Sequence, residues 1–202
     1  MPSRESIVSF EEPPAPEGAD PYVNGAGPSP GIAVVPPRAE WPGLFETLAV
    51  RIRAALGWRA LAVEHVGSTS VPGLSAKPTI DIDLIVAAPD REEDYVPALE
   101  QQGFVLRVRE PWWFGHRMLA LQEPACHLHV FGPDSPEPVK HRIFRDWLRG
   151  NPDDRERYEA AKLRASAEAT AAGEHSMEYN ARKESVIREI YDRAFRAAGL
   201  LR

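Results

Sequence analysis

Apolar residues recur at Trp41, Leu44, Phe45, Leu48, Ile52, Ala55 and Leu56. Steps of three and four place them on one helix face and predict a helix from Trp41 to a stop at Gly57. The period then changes. Residues 60–66 (ALAVEHV), 79–87 (TIDIDLIVA) and 104–109 (FVLRVR) read as strands, with a helix over 90–102 between the last two. FGHRMLALQ (114–122) and CHLHVFG (126–132) predict a hairpin turning at Glu123-Pro124. From Ser135 the helical period returns in three segments, EPVKHRIFRDWLRG, PDDRERYEAAKLRASAEAT and EYNARKESVIREIYDRAFRAAG. The layout predicts an α/β or α+β fold: a mixed sheet with flanking helices, then a helical C-terminal section.

One strand breaks its own pattern. Ile80, Ile82, Leu84 and Val86 alternate toward a core, which turns Asp81 and Asp83 together onto the opposite face. Two carboxylates so placed repel, and burial adds a desolvation cost. A divalent cation relieves both, and Mg²⁺ favours one or two carboxylates completed by substrate phosphates. An edge strand with a solvated face would also alternate acids. The preceding segment favours the cation. It ends in Gly67-Ser68, where glycine admits an anion close to the backbone. The N–H groups that follow and the Ser68 hydroxyl suit phosphate oxygens. The intervening loop, with Pro72, Gly73 and Pro78, leaves no room for a helix.

Composition narrows the picture. The chain has 202 residues, 43% of them hydrophobic, which suits one domain with a sizeable core. Residues 1–31 hold seven prolines and four glycines and read as a flexible extension outside the site, with the folded unit over 32–202. The net charge of −6 argues against coating nucleic acid or an anionic membrane. Residues 1–139 carry −9 and residues 140–202 carry +3, a division that suits a metal beside an anionic ligand as well as ordinary solvated faces. Cys126 is the only cysteine, so no intramolecular disulfide and no cysteine metal site is expected. No apolar run has signal-peptide or membrane-span length, which gives the expectation of a soluble cytoplasmic protein.

Strand, Gly67-Ser68, loop, then a strand with Asp81-Ile82-Asp83 resembles the nucleotidyltransferase signature of the polymerase-beta-type superfamily. A closer resemblance, over about 165 residues, is to the GrpB family, a nucleotidyltransferase-like group. It rests on EHVGSTSVPGLSAKPTIDI, EWPGLFE, HLHVF, HRIFRDWLRGNP and the pair Tyr179 and Lys183. GrpB-like domains also occur fused to dephospho-coenzyme A kinases. The superfamily resemblance implies that Gly67, Ser68 and Thr69 hold a nucleoside triphosphate, ATP by preference, and that Asp81 and Asp83 bind Mg²⁺ or Mn²⁺. It also implies a third carboxylate on a later strand. None stands out, so His129 is the candidate for that place, as metal ligand or general base, with Glu123 a weaker one. His127, on the same strand face as His129, is a substrate contact or a structural partner.

Lys77, Arg117, Arg145 and Lys183 are further candidates for the phosphates, with Lys162 second to Lys183; Tyr179 is a candidate substrate contact. Each also has a plain reading as a solvated or ion-paired side chain. His65 is expected to hydrogen-bond the loop, and Trp112, Trp113 and Phe114 to pack against the last helices rather than stack a base. Two functions follow. One is Mg-dependent nucleotidyl transfer to a small-molecule acceptor, or the adenylating step of an ATP-dependent ligation. The other is a non-catalytic module binding a nucleotide or a coenzyme A-related ligand.

Overall fold

The computed structural model describes residues 1–28 and 33–202. Five strands, β1 (Ala62–Val66), β2 (Ile80–Ile85), β3 (Val105–Glu110), β4 (His116–Leu121) and β5 (Cys126–Phe131), form one sheet in the order β1-β2-β5-β4-β3. Only β2 and β5 pair in parallel; the other neighbours are antiparallel. β4 and β5 form the expected hairpin, with the cis peptide Glu123-Pro124 in its turn.

Alternation gives the sheet two different faces. Ile80, Ile82, Leu84, Leu119, Leu128 and Val130 are buried on one. Helix α2 (Trp41–Leu56) covers them with Leu48 and Ile52, and a short helix α3 (Val96–Glu100) adds Leu99. Removal of such side chains from water, at about 1.5–3 kcal/mol each, holds this layer together. The helix expected over 90–102 is broken into a 3-10 turn at Glu92–Asp94 and α3. Pro97 has no N–H to donate, and its ring obstructs a helical carbonyl four residues earlier.

Three long helices, α4 (Glu137–Gly150), α5 (Pro152–Ala172) and α6 (Ser176–Ala197), follow as the sequence predicts. They hold the loop between β1 and β2. Val71 and Leu74 are buried with Leu148, Tyr158 and Ile190. Arg149 donates to the Ser70 carbonyl at 2.7 and 3.0 Å, and Lys162 donates to the Ser75 carbonyl. Glu159 accepts from the Ser75 N–H at 2.9 Å.

The N-terminal segment departs from its expected separateness. A helix α1 (Arg4–Val8) buries Ile7 against Tyr191 and Phe195 of α6, and Tyr22 bridges to Val108 of β3. Proline-rich composition misses this because a few apolar side chains, Ile7 with Val8 and Phe10, dock the segment. The expected start of the fold at Ile32 lies outside the described residues.

Candidate functional site

β1 ends in a sharp turn. Gly67 has φ +65° and ψ −172°, a conformation open essentially to glycine alone. Ser68–Ser70 then form a 3-10 turn closed by the Ser70 and Val71 N–H groups. The tight geometry has a second cause. A Cβ on Gly67 would lie 2.3 Å from Asp81 Oδ2 and 2.9 Å from Asp81 Cβ. On the core side of β1, His65 Nε2 lies 3.0 Å from Thr69 Oγ1, which anchors the turn as expected for His65.

Asp81 and Asp83 do share a face, but they meet different partners. In the ladder Asp81 pairs with His127, and Asp83 pairs with His129 on one side and Glu64 on the other. Asp81 is about a third exposed, and its Oδ1 lies 3.5 Å from His127 Nδ1. Burial raises its pKa, but His127, His129 and Lys77 outweigh that and hold it below the usual carboxylate range. Asp83 is fully buried: its Oδ2 lies 2.8 Å from His141 Nδ1 and its Oδ1 has no partner. Burial lowers the His141 pKa, while the adjoining Asp83 charge and hydrogen bond raise it by more, so the net shift is upward.

The partners of Asp81 and Asp83 therefore differ. Among the described residues, the group whose donor atoms all lie within 4.8 Å of one another is Asp81, His127 and His129. Behind it, His129 Nδ1 lies 3.0 Å from His116 Nε2, and His116 Nδ1 lies 2.8 Å from Glu110 Oε2. Burial first, and then His116, pushes the His129 pKa down to about 3, so this ring is neutral at physiological pH.

These groups open onto a cleft of about 330 Å³. Ser68, Thr69, Lys77, Tyr179 and Lys183 line it, together with Asp81 and both histidines. The Lys183 ammonium sits 4.3 Å from the centroid of the buried Tyr179 ring. Burial lowers the Lys77 pKa. Lys162 also lines the cleft, and burial, with Lys183 near, brings its pKa down to about 7. An acidic centre and three lysines thus line one cleft, chemistry that suits a phosphate-bearing ligand.

Two other expected contacts lie elsewhere. Arg117 alternates onto the core side of β4, where it is buried and donates to Glu92 at 2.6 Å, away from the cleft. Its odd position beside the even-numbered His116 and Met118 carried that information. Arg145 donates to the His65 carbonyl at 2.9 Å and to Glu64 at 3.2 Å. It lines a smaller, mainly apolar cavity of about 180 Å³ with Gly67, Ser68, Phe144 and Tyr158. Glu123 stays in the exposed hairpin turn. Trp113 packs edge-on against His116 and Phe131 at 4.9 and 5.8 Å, within the sheet region rather than against the last helices.

The sequence reading passed over Glu110, His116 and His141. For His116 the signal was present, since it shares the parity of Met118 on β4. His141 reaches Asp83 across 58 positions, a separation that no local spacing reveals. Tyr22, Gly27 and Pro28 also line the cleft, so the N-terminal segment contributes to it.

The GrpB protein family matches residues 31–193. A UPF0157 protein of Halalkalibacterium halodurans is 47% identical over 154 residues, covering 76% of this chain and 77% of that protein. A dephospho-CoA kinase of Mycolicibacterium paratuberculosis is 30% identical over 190 residues; the match takes in 81% of this chain but 46% of the kinase. The crystal structure of the conserved protein GrpB from Enterococcus faecalis superposes with a TM-score of 0.71 at 29% identity, covering 82% of this chain and 99% of that one.

Proposed function

The chain belongs to the GrpB family, and from that premise we propose that it transfers a nucleotidyl group from a nucleoside triphosphate, ATP by preference, to a small-molecule acceptor. The observation that carries the reading is the convergence of the Ser68-Thr69 turn, Asp81 and the lysines 77, 162 and 183 on one cleft. Phosphate oxygens would meet the turn and the three ammonium groups. The acceptor would attack the α-phosphorus and pyrophosphate would leave, its developing charge met by Lys162 and Lys183.

A divalent cation, when bound, would neutralise the phosphates beside Asp81. Mg²⁺ held by Asp81 and Asp83 alone fits poorly, since one oxygen of Asp83 is engaged by His141 and the groups gathered at Asp81 are imidazoles. Zn²⁺ or Fe²⁺, which take imidazole as well as carboxylate, would fit this set, and Mn²⁺ would bind it more weakly. The cavity beside Arg145 is a place for a compact, largely apolar acceptor. A small cleft and an acidic chain favour such an acceptor over nucleic acid. Among the described residues no helix is long and apolar enough to cross a membrane. We propose a cytoplasmic setting, a reading supported by the free thiol of Cys126.

Similarity to part of a longer protein named dephospho-CoA kinase favours a second reading, a module that binds a nucleotide or a coenzyme A-related ligand without turning it over. Calorimetry with the four nucleoside triphosphates, with Mn²⁺ and with Mg²⁺, followed by a pyrophosphate-release screen over amines, acids and alcohols, separates the two. Transfer requires binding that Asp81→Asn abolishes, and release with some acceptor class. Binding without release supports the module, and no binding at millimolar nucleotide refutes both.

A further inference from the structure

We propose that Asp81, His127 and His129 form a site for one nitrogen-accepting transition-metal dication, of the Zn²⁺ and Mn²⁺ class, and not for Mg²⁺. The inference is independent of nucleotidyl transfer. Ligand atoms at about 2.0–2.2 Å from a common ion stand roughly 3–4 Å apart. The three donor groups lie within 4.8 Å of one another, within reach of that spacing by small side-chain rotations. They stand on neighbouring strands, Asp81 directly opposite His127 in the β2–β5 ladder, with His129 two residues on along β5. A paired sheet fixes such positions better than a loop does.

The groups behind the site orient it. Glu110 can only accept, so His116 donates from Nδ1. Its Nε2 lies 3.0 Å from His129 Nδ1, so the Nδ1 edge of His129 is engaged by this hydrogen bond. That leaves Nε2 as the His129 nitrogen available to a metal. A carboxylate that fixes the tautomer of a ligand histidine is the usual outer arrangement of a metal site, here extended by one ring.

A second observation points the same way. Asp83 is fully buried on the same face and adjoins His129 in the ladder, yet its Oδ1 has no partner. An unpartnered buried carboxylate oxygen is costly, and a cation nearby offsets the cost. Asp81 and His127 are each about a third exposed to the cleft, so an ion there keeps positions open for a ligand from solution. Two imidazoles and one carboxylate suit Zn²⁺, Mn²⁺ or Fe²⁺, whereas Mg²⁺ demands oxygen ligands. Cys126, one residue before His127, alternates into the core and supplies no thiolate.

The test uses the full chain, stripped with EDTA and titrated without nucleotide. Zn²⁺ and Mn²⁺ should each bind at one ion per chain, and Mg²⁺ at least about 100-fold more weakly. Co²⁺ should give visible absorption bands that shift or vanish in His127→Gln and His129→Gln. Both variants should weaken Zn²⁺ binding more than about tenfold, and Glu110→Gln should do so to a lesser degree. His127 is partly exposed, so His127→Gln should keep its thermal midpoint. Mg²⁺ binding as tightly as Zn²⁺, unchanged Zn²⁺ affinity in both histidine variants, or no ion bound below millimolar concentration would each overturn the proposal. A chain that binds metal but no nucleotide keeps this site and loses the transfer reading.

Discussion

Gly67 stands so close to Asp81 that a methyl group on its Cα would overlap the carboxylate, at 2.3 Å from Oδ2 and 3.0 Å from Cγ. The turn at the end of β1 and the acid on β2 are thus two halves of one packed unit. Gly67→Ala should cost about 1–3 kcal/mol through its positive φ alone. It should also displace Asp81 and weaken metal binding. Chemical denaturation and a Zn²⁺ titration of this variant check both; full retention of metal affinity would separate turn from acid.

Asp83, fully buried, pairs at 2.8 Å with His141, which is partly exposed. Removing His141 leaves the buried Asp83 carboxylate without its partner, at a cost of about 3–5 kcal/mol. His141→Leu should therefore destabilise strongly, while Asp83→Leu with His141→Leu should lose less than the sum of the two single changes. A double-mutant cycle by urea denaturation reads the difference. Strict additivity would show that the two side chains act separately.

The sequence made the sheet and its two faces legible because alternation along Ile80 to Val86 is a local property. The same alternation gives the shared face of Asp81, Asp83, His127 and His129. It did not show which of the four meet. Strand order decides that, and the parallel pairing of β2 with β5 sets Asp81 beside His127. Arg117 illustrates the converse: its charge suggested the cleft, while its parity on β4 put it on the core side with Glu92.

Lys162 is buried, and burial with Lys183 nearby brings its pKa from 10.5 down to about 7. At pH 8 most of it is neutral, and a bound polyphosphate favours the charged form. Binding of sodium tripolyphosphate at pH 8 should then take up part of a proton, seen as a dependence of the calorimetric enthalpy on buffer ionisation heat. Lys162→Met should lose that dependence. The sign for stability is fixed too. Between about pH 7 and 10.5 the unfolded chain holds more protons, so folding stability rises with pH across that window. In Lys162→Met that contribution disappears.

Lys183 rests 4.3 Å from the Tyr179 ring centroid. The ring face holds the ammonium at the cleft wall, a contact of about 0.5–1 kcal/mol where solvent is near. Lys183→Met should weaken tripolyphosphate binding about tenfold, one charge-assisted contact by magnitude. Tyr179→Phe keeps the ring face and should bind as the unchanged chain does. A loss in Tyr179→Phe would assign the hydroxyl a direct role instead.

Ile7 tests how far the N-terminal segment belongs to the fold. Its side chain is buried with Tyr191 and Phe195, and Phe10 stacks edge-on to Tyr191 at 5.3 Å. Ile7→Ala removes most of that apolar contact and leaves a small void, which in a core costs about 2–5 kcal/mol. The short α1 can detach instead of holding a cavity open, so the loss should fall at the low end, about 2 kcal/mol. Hydrogen exchange then distinguishes the two responses. Detachment exposes the amides of residues 7–9 while those of α6 stay protected, and a retained cavity changes neither. Equal stability of Ile7→Ala and the unchanged chain would mean that the segment docks without contributing to the fold.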